Sequence, residues 1–134
     1  MSKQILIIKG SPRKNGNTSA MADAFAKGAS ENENIITEVI LKDKNIGDCM
    51  GCGACQRNSG ICIQKDDMTE IYEAMKKADI IVLASPVYFY TWTSLMKRMI
   101  DRTFAVELIL MNKKFYCELC KKVTLNAFMD SKMS

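Results

Sequence analysis

The sequence predicts a doubly wound parallel α/β sheet in three layers, with helices on both faces. Three observations carry that reading. Short β-branched segments alternate along the chain with segments of helical periodicity. Two of the former, residues 5–8 and 80–84, are continuously apolar, as strands covered on both faces require. The first of them runs directly into a polar, glycine-containing loop, GSPRKNGNTS, over residues 10–19.

Residues 4–9 read as the first strand. Met21, Ala24, Phe25 and Gly28 then recur at helical spacing, and Asn17, Thr18 and Ser19 offer side chains suited to capping the helix start. Residues 35–41 are β-branched and partly alternating, with Glu38 tolerable on an edge strand. Asp67 stands three residues before Glu70 in a capping-box-like arrangement, opening a helix whose apolar stripe is Met68, Ile71, Met75 and Ala78. Residues 80–84 supply the third strand. Thr93 or Ser94 is placed to cap the next helix, with Leu95, Met96, Met99 and Ile100 inward and Lys97, Arg98 and Arg102 in water. Beyond Phe104 the pattern thins: residues 105–111 suit an extension of that helix and residues 115–119 a fourth strand. There is no repeat, linker or low-complexity stretch, and residues 1–134 are expected to form one domain.

Composition narrows the chemistry. The chain is 48% hydrophobic and 25% charged, within the globular range, and its net charge of +4 is spread too evenly to suggest a nucleic-acid surface. The apolar opening is too short for a secretory signal, and no segment reaches the length of a membrane span. A cytoplasmic chain is therefore expected, in which six cysteines act as metal ligands or redox groups rather than as a disulfide framework. The sequence contains no histidine, which removes histidine bases, Ser-His-Asp triads and His-ligated metals. Any reaction then needs another agent, for which a cofactor is the obvious choice, and no catalytic side chain is assigned. The ten methionines fall mostly on helix stripes and read as core filler.

Three loops carry the candidate sites. Residues 10–19 join the first strand to the first helix, where backbone N–H groups and the helix dipole favour an anion. Gly10 and Gly16 permit close approach, Ser11, Thr18 and Ser19 supply hydroxyls, and Arg13 supplies a guanidinium. The spacing fits neither a Walker A loop nor GxGxxG, so a single phosphate suits it better than a triphosphate or a dinucleotide. After the third strand, residues 85–92 (SPVYFYTW) place four aromatics where a doubly wound sheet binds ligands, and a flat ring could stack there with its phosphate on the first loop. Some of these aromatics are equally suited to the core or a subunit interface. The third loop holds Cys49, Cys52, Cys55 and Cys62 in the pattern C-x2-C-x2-C-x6-C, with Gly51, Gly53 and Gly60 between them. The run resembles that of bacterial ferredoxins except for its longer last gap, and fits a [4Fe-4S] cluster. Zinc, a disulfide or inert thiols are the alternatives. Cys117 and Cys120 lack partners and read as incidental thiols.

Taken together, GSPRKNGNTS, the cysteine loop running into Asp66-Asp67-Met68, Ser85-Pro86-Val87-Tyr88 and residues 97–102 resemble the iron–sulfur flavoproteins of the NADPH-dependent FMN reductase group, over about residues 4 to 104. The resemblance implies a flavodoxin-like fold, with Ser11, Arg13, Asn17, Thr18 and Ser19 on the FMN phosphate and Pro86, Val87, Tyr88 and Phe89 beside the isoalloxazine ring. It also implies Cys49, Cys52, Cys55 and Cys62 as cluster ligands, and a dimer or tetramer with flavin sites near subunit boundaries. Electrons would pass between NAD(P)H or ferredoxin and a small-molecule or protein acceptor. A cluster-free NAD(P)H-dependent flavin, quinone or nitro-compound reductase and a non-catalytic carrier are the rival readings. Residues 45–66 then form a cysteine-rich insertion and residues 105–134 a divergent tail, leaving a C-terminally truncated version of the fold. Family members continue into a further glycine-containing flavin loop, a helix and a fifth strand.

Overall fold

The computed structural model describes residues 1–119. Its strands are β1 (Gln4–Lys9), β2 (Ile35–Ile40), β3 (Ile80–Ser85) and β4 (Lys114–Leu119), and its helices α1 (Asn17–Ser30), α2 (Ala54–Arg57), α3 (Met68–Lys77), α4 (Ser94–Arg102) and α5 (Glu107–Leu110). The strands form one parallel sheet in the order β2-β1-β3-β4, with Ile7 beside Glu38 on one side and Val82 on the other. Strand order reverses between β1 and β3, which makes the gap above their carboxyl ends the switch point of a flavodoxin-like sheet.

The pleat sends alternate residues of β1 and β3 to opposite faces. Leu6, Ile8, Ile81 and Leu83 pack with Met68, Ile71, Met75, Met96 and Met99 from α3 and α4, whereas Ile5, Ile7, Val82 and Ala84 pack beneath α1. The α3 stripe thus lies where its spacing predicts, and Tyr72, which the spacing does not single out, is buried beside it. In α1 the inward face is shifted. Thr18 and Ala22 are buried, and Phe25, Ala26 and Ala29 pack partly against the sheet. Met21 is exposed, as are Ala24 and Gly28. Small side chains at i, i+4, i+8 and i+11 let the helix lie close to the sheet, so the larger methionine lost the inward position.

Helix starts also differ from the sequence expectation. Gly16 is the N-cap of α1 and no side chain caps it, because Asn17, Thr18 and Ser19 already belong to the first turn. At α3 the cap duty falls to Asp66, whose Oδ1 accepts from the Met68 N–H at 3.0 Å, while Asp67 accepts from the Asn45 N–H at 2.6 Å. Thr93 caps α4 as expected, accepting from the Met96 N–H at 3.2 Å. Glu38 does lie on an edge strand, paired with Lys9. After α4 the chain forms a short 3₁₀ turn (Thr103–Val106), then α5, then β4 beside β3, so the fourth strand suggested by residues 115–119 is present. Cys117 lies on β4, and Cys120 falls outside the described residues.

Candidate cofactor site

All three loops singled out by the sequence leave the carboxyl ends of strands: residues 10–16 after β1, residues 44–67 after β2 and residues 86–93 after β3. The first and third are joined directly. Thr93 Oγ1 donates to the Gly10 carbonyl at 2.6 Å, and the Gly10 N–H donates to the Ala84 carbonyl at 2.8 Å. Gly10 is required here because a Cβ would stand 2.9 Å from Met96 Cβ.

Within the first loop Ser11 is buried and its Oγ accepts from the Arg13 N–H at 3.1 Å, a local turn that shapes the loop. The Arg13 side chain is exposed, Thr18 is buried and Ser19 half-buried. Gly16 is an N-cap lacking a side-chain oxygen, and the start of the fourteen-residue α1 has the helix-end polarity that favours an anion.

In the third loop the aromatics divide. Trp92 is buried in the core, Pro86 and Val87 are half-buried, and Phe89 and Tyr90 are 93% and 85% exposed. Tyr88 and Thr91 exchange backbone hydrogen bonds of 2.9 and 3.2 Å, which forces Phe89 and Tyr90 into the left-handed region at φ 45° and 70°. Bulky residues seldom adopt that conformation, and backbone strain of this kind gathers at ligand sites. Their rings stack edge to face with centroids 5.5 Å apart, at the tip of the loop.

The cysteine loop is built on positive-φ glycines, Gly51, Gly53 and Gly60 at φ 63°, 65° and 81°. Gly60 is pressed against the Ala105 carbonyl, where a Cβ would come within 2.7 Å. Cys49 and Cys52 are exposed, Cys55 and Cys62 are half-buried against the core, and all four thiols are unbridged. All four line one cavity of about 90 Å³, whose wall also includes Arg102 and Phe104. As placed, the side chains do not converge on a single-ion position among the described residues. A shared cavity and a donor set of four soft thiols nevertheless fit a cluster, which spans several iron atoms and spreads its ligands more widely than one tetrahedral ion. A roomier groove of about 420 Å³ between β1 and α3, lined by Leu6, Thr37 and Ala74, contains no cysteine or aromatic.

Arg102 is the residue that sequence reasoning misplaced. Expected in water at the end of an amphipathic helix, it is 2% exposed. Its Nη1 donates to Asp66 Oδ2 at 2.7 Å and to the Gly47 carbonyl at 2.9 Å, and its Nη2 to Asp66 Oδ1 at 3.2 Å and Cys62 Sγ at 3.5 Å. Burial works against the Asp66 carboxylate, but Arg102 and the N–H groups of Gly47 and Met68 outweigh it and hold the group below its usual range. Burial likewise works against the guanidinium, and Asp66 and Tyr72 outweigh it and raise its pKa. Tyr72 donates its hydroxyl to the Arg102 carbonyl at 2.7 Å, and burial pushes its pKa up to about 12. Helical spacing gave no sign of this arrangement; the only hint was an arginine ending a helix downstream of paired aspartates that follow the last cysteine of the run. Arg98, also expected in water, is partly exposed and pairs with Asp48 of the same loop at 2.8 Å.

The chain matches the NADPH-dependent FMN reductase family over residues 4–124. It therefore belongs to that family. Similar curated proteins include an iron-sulfur flavoprotein of Archaeoglobus fulgidus, 43% identical over 95 residues that make up 71% of this chain and 43% of that protein. One from Methanocaldococcus jannaschii is 42% identical over 101 residues, 75% of this chain and 51% of that protein. The chain thus spans about half the length of the curated relatives it matches. Among solved structures, an NADH:FMN oxidoreductase superposes with a TM-score of 0.64 at 22% identity, covering 98% of this chain and 66% of that one. An NAD(P)H:quinone oxidoreductase from Methanothermobacter marburgensis gives 0.66 at 15% identity, covering 89% and 83%. At those identities the likeness establishes the flavodoxin-like fold. No helix among the described residues is long and apolar enough to cross a membrane.

Proposed function

We propose that this chain is an FMN-dependent oxidoreductase that moves electrons between a reduced donor, NAD(P)H or ferredoxin, and an acceptor, with a [4Fe-4S] cluster on its cysteine loop. The observation that carries the reading is the joining of the three loops by α4. Its cap Thr93 holds Gly10 at the start of the phosphate loop, and its last residue Arg102 holds the cysteine loop. Nine residues at 1.5 Å rise set those anchors roughly 13 Å apart.

In this reading Ser11, Arg13, Asn17, Thr18 and Ser19 receive the FMN phosphate. Pro86, Val87, Tyr88 and Phe89 form the wall beside the flavin ring, and Cys49, Cys52, Cys55 and Cys62 hold the cluster. Bound FMN supplies one- and two-electron chemistry and the cluster one-electron chemistry. The protein's part is to orient the ring against the strained aromatic loop, to neutralise the phosphate at the start of α1, and to keep the thiols in one cavity. We assign residues 45–66 as a cysteine-rich insertion in one flavodoxin-like domain and residues 105–134 as its divergent tail. The protein is placed in the cytoplasm, where thiols stay reduced, and as a homo-oligomer, because the aromatic tip of residues 88–90 is apolar surface that a second subunit would cover.

Anaerobic purification followed by visible spectroscopy and assay of flavin, iron, sulfide and zinc tests the proposal. Flavin with about four irons per chain is expected, the number that four thiolate ligands imply. Flavin without iron reduces the reading to an NAD(P)H-dependent flavin, quinone or nitro-compound reductase, and flavin reduced by ferredoxin but not by NAD(P)H points to a carrier. No flavin after reconstitution overturns it.

A further inference from the structure

The cysteine cavity has a cationic wall. Arg102 is the cavity-lining residue that touches both the loop backbone, at the Gly47 carbonyl, and a thiol, at Cys62. One face of the guanidinium fork is taken by Asp66, which is itself fixed by the backbone N–H groups of Gly47, at 2.8 Å, and Met68. The Arg102 Nε, by contrast, is buried with no hydrogen-bond partner, the sole such side-chain nitrogen or oxygen among the described residues. A buried donor left unmade is costly, and one in the wall of a thiol-lined cavity is suited to an anionic sulfur.

We propose that Arg102 is a positioning residue for the cysteine site: it docks residues 47–66 against the end of α4 and donates N–H groups to sulfur, raising the reduction potential of the group the thiols hold. Resting on the cluster reading, this goes beyond it in naming a residue outside the cysteine run that controls the site. Hydrogen bonds to ligand sulfurs stabilise the more negatively charged, reduced state, so their removal lowers the potential. Lysine would keep the charge but not the planar fork, and cannot serve Asp66, Gly47 and Cys62 together.

Two variants separate this role from simple structural support. Arg102→Lys retains a cation, and the double variant Asp66→Asn/Arg102→Gln removes both charges, so that no buried carboxylate is stranded. In anaerobically reconstituted protein, an EPR-monitored redox titration is expected to show the cluster midpoint moving to more negative values in Arg102→Lys, and also in the double variant, where the lost N–H donors outweigh the lost carboxylate, with iron content retained. An unchanged midpoint with full iron in both variants overturns the proposal. Hydrogen exchange over residues 47–66 of the metal-free protein reads the docking half without any cluster. Faster exchange in both variants than in wild type supports it, and equal exchange overturns it. If wild-type protein takes up no iron or sulfide, the cluster reading and the tuning of its potential fall together, while the exchange comparison still decides whether Arg102 docks the loop.

Discussion

Lys9 and Arg102 are both buried cations, 7% and 2% exposed, yet they are held in different ways. Lys9 ends β1 and places its Nζ 2.6 Å from Asp23 of α1 and 3.0 Å from Glu38 of β2, carboxylates whose side chains are 64% and 36% exposed. Arg102 meets Asp66, whose side chain is 11% exposed, and its terminal nitrogens also donate to the Gly47 carbonyl, Gln64 and the Cys62 sulfur, while its Nε has no partner. A lysine is a point charge that two rim carboxylates can satisfy and water can replace. An arginine is a planar fork whose partners must be fixed, and here they all belong to one loop. The difference separates a cation that closes the end of a central strand from one that joins the cysteine loop to the fold.

The widest separation is expected from removing the arginine alone. Arg102→Met strands the Asp66 carboxylate in a largely dry site and should cost about 3–5 kcal/mol. Urea unfolding of the metal-free protein measures it; a loss below about 1 kcal/mol, the ceiling for an exposed pair, would place Arg102 in the same class as Lys9. Acid titration gives the next contrast. Asp66 is held below the usual carboxylate range by Arg102 and two N–H groups, against the opposing effect of burial. The unfolded chain therefore binds this proton more readily, near a pKa of about 3.9. Its stabilisation is present in full above that value and is lost as pH falls through the lower folded one. Asp66→Asn should remove this part of the acid limb. Tyr72→Phe, which deletes only the hydroxyl bonded to the Arg102 carbonyl, should cost about 1 kcal/mol by the same unfolding assay.

The contrast also explains what could be read in the sequence. The sheet strands were legible because residues 5–8 and 80–84 are apolar throughout, and the buried stripe of α3 because Met68, Ile71 and Met75 keep strict helical spacing. Glu38 was legible as tolerable on an edge strand, and β2 is the edge strand of the sheet. The cysteine run and residues 10–19 could be singled out as candidate sites, since their residue types and spacing are local. Arg102 was not: its partners at 47, 62, 64 and 66 lie 36 to 55 positions away, and its place on α4 reads as solvent-facing. The α1 stripe was misjudged by one residue because methionine outranks alanine in apolarity, whereas close helix-to-sheet packing selects for small size.

The smallest expected effect belongs to Lys9, and it tests the other end of the pH scale. Lys9→Met removes a buried charge and leaves Asp23 and Glu38 free to turn toward water, so stability should change by less than about 1 kcal/mol near neutral pH. In the native protein burial lowers the Lys9 pKa, but hydrogen bonds from the ammonium to Asp23 and Glu38 outweigh that and raise it. The folded chain thus holds this proton more tightly than the unfolded one. The pair's contribution is complete below the unfolded lysine value of about 10.4 and fades as pH rises through the folded value. Urea unfolding at neutral and strongly alkaline pH should therefore show wild type losing slightly more than Lys9→Met on the alkaline side, while Asp66→Asn, whose cost is constant over that range, changes the pH dependence only on the acid side. A Lys9→Met loss as large as that of Arg102→Met would mean that the two carboxylates are as fixed as Asp66, and that the end of β1 is a joint of the same kind as the cysteine loop.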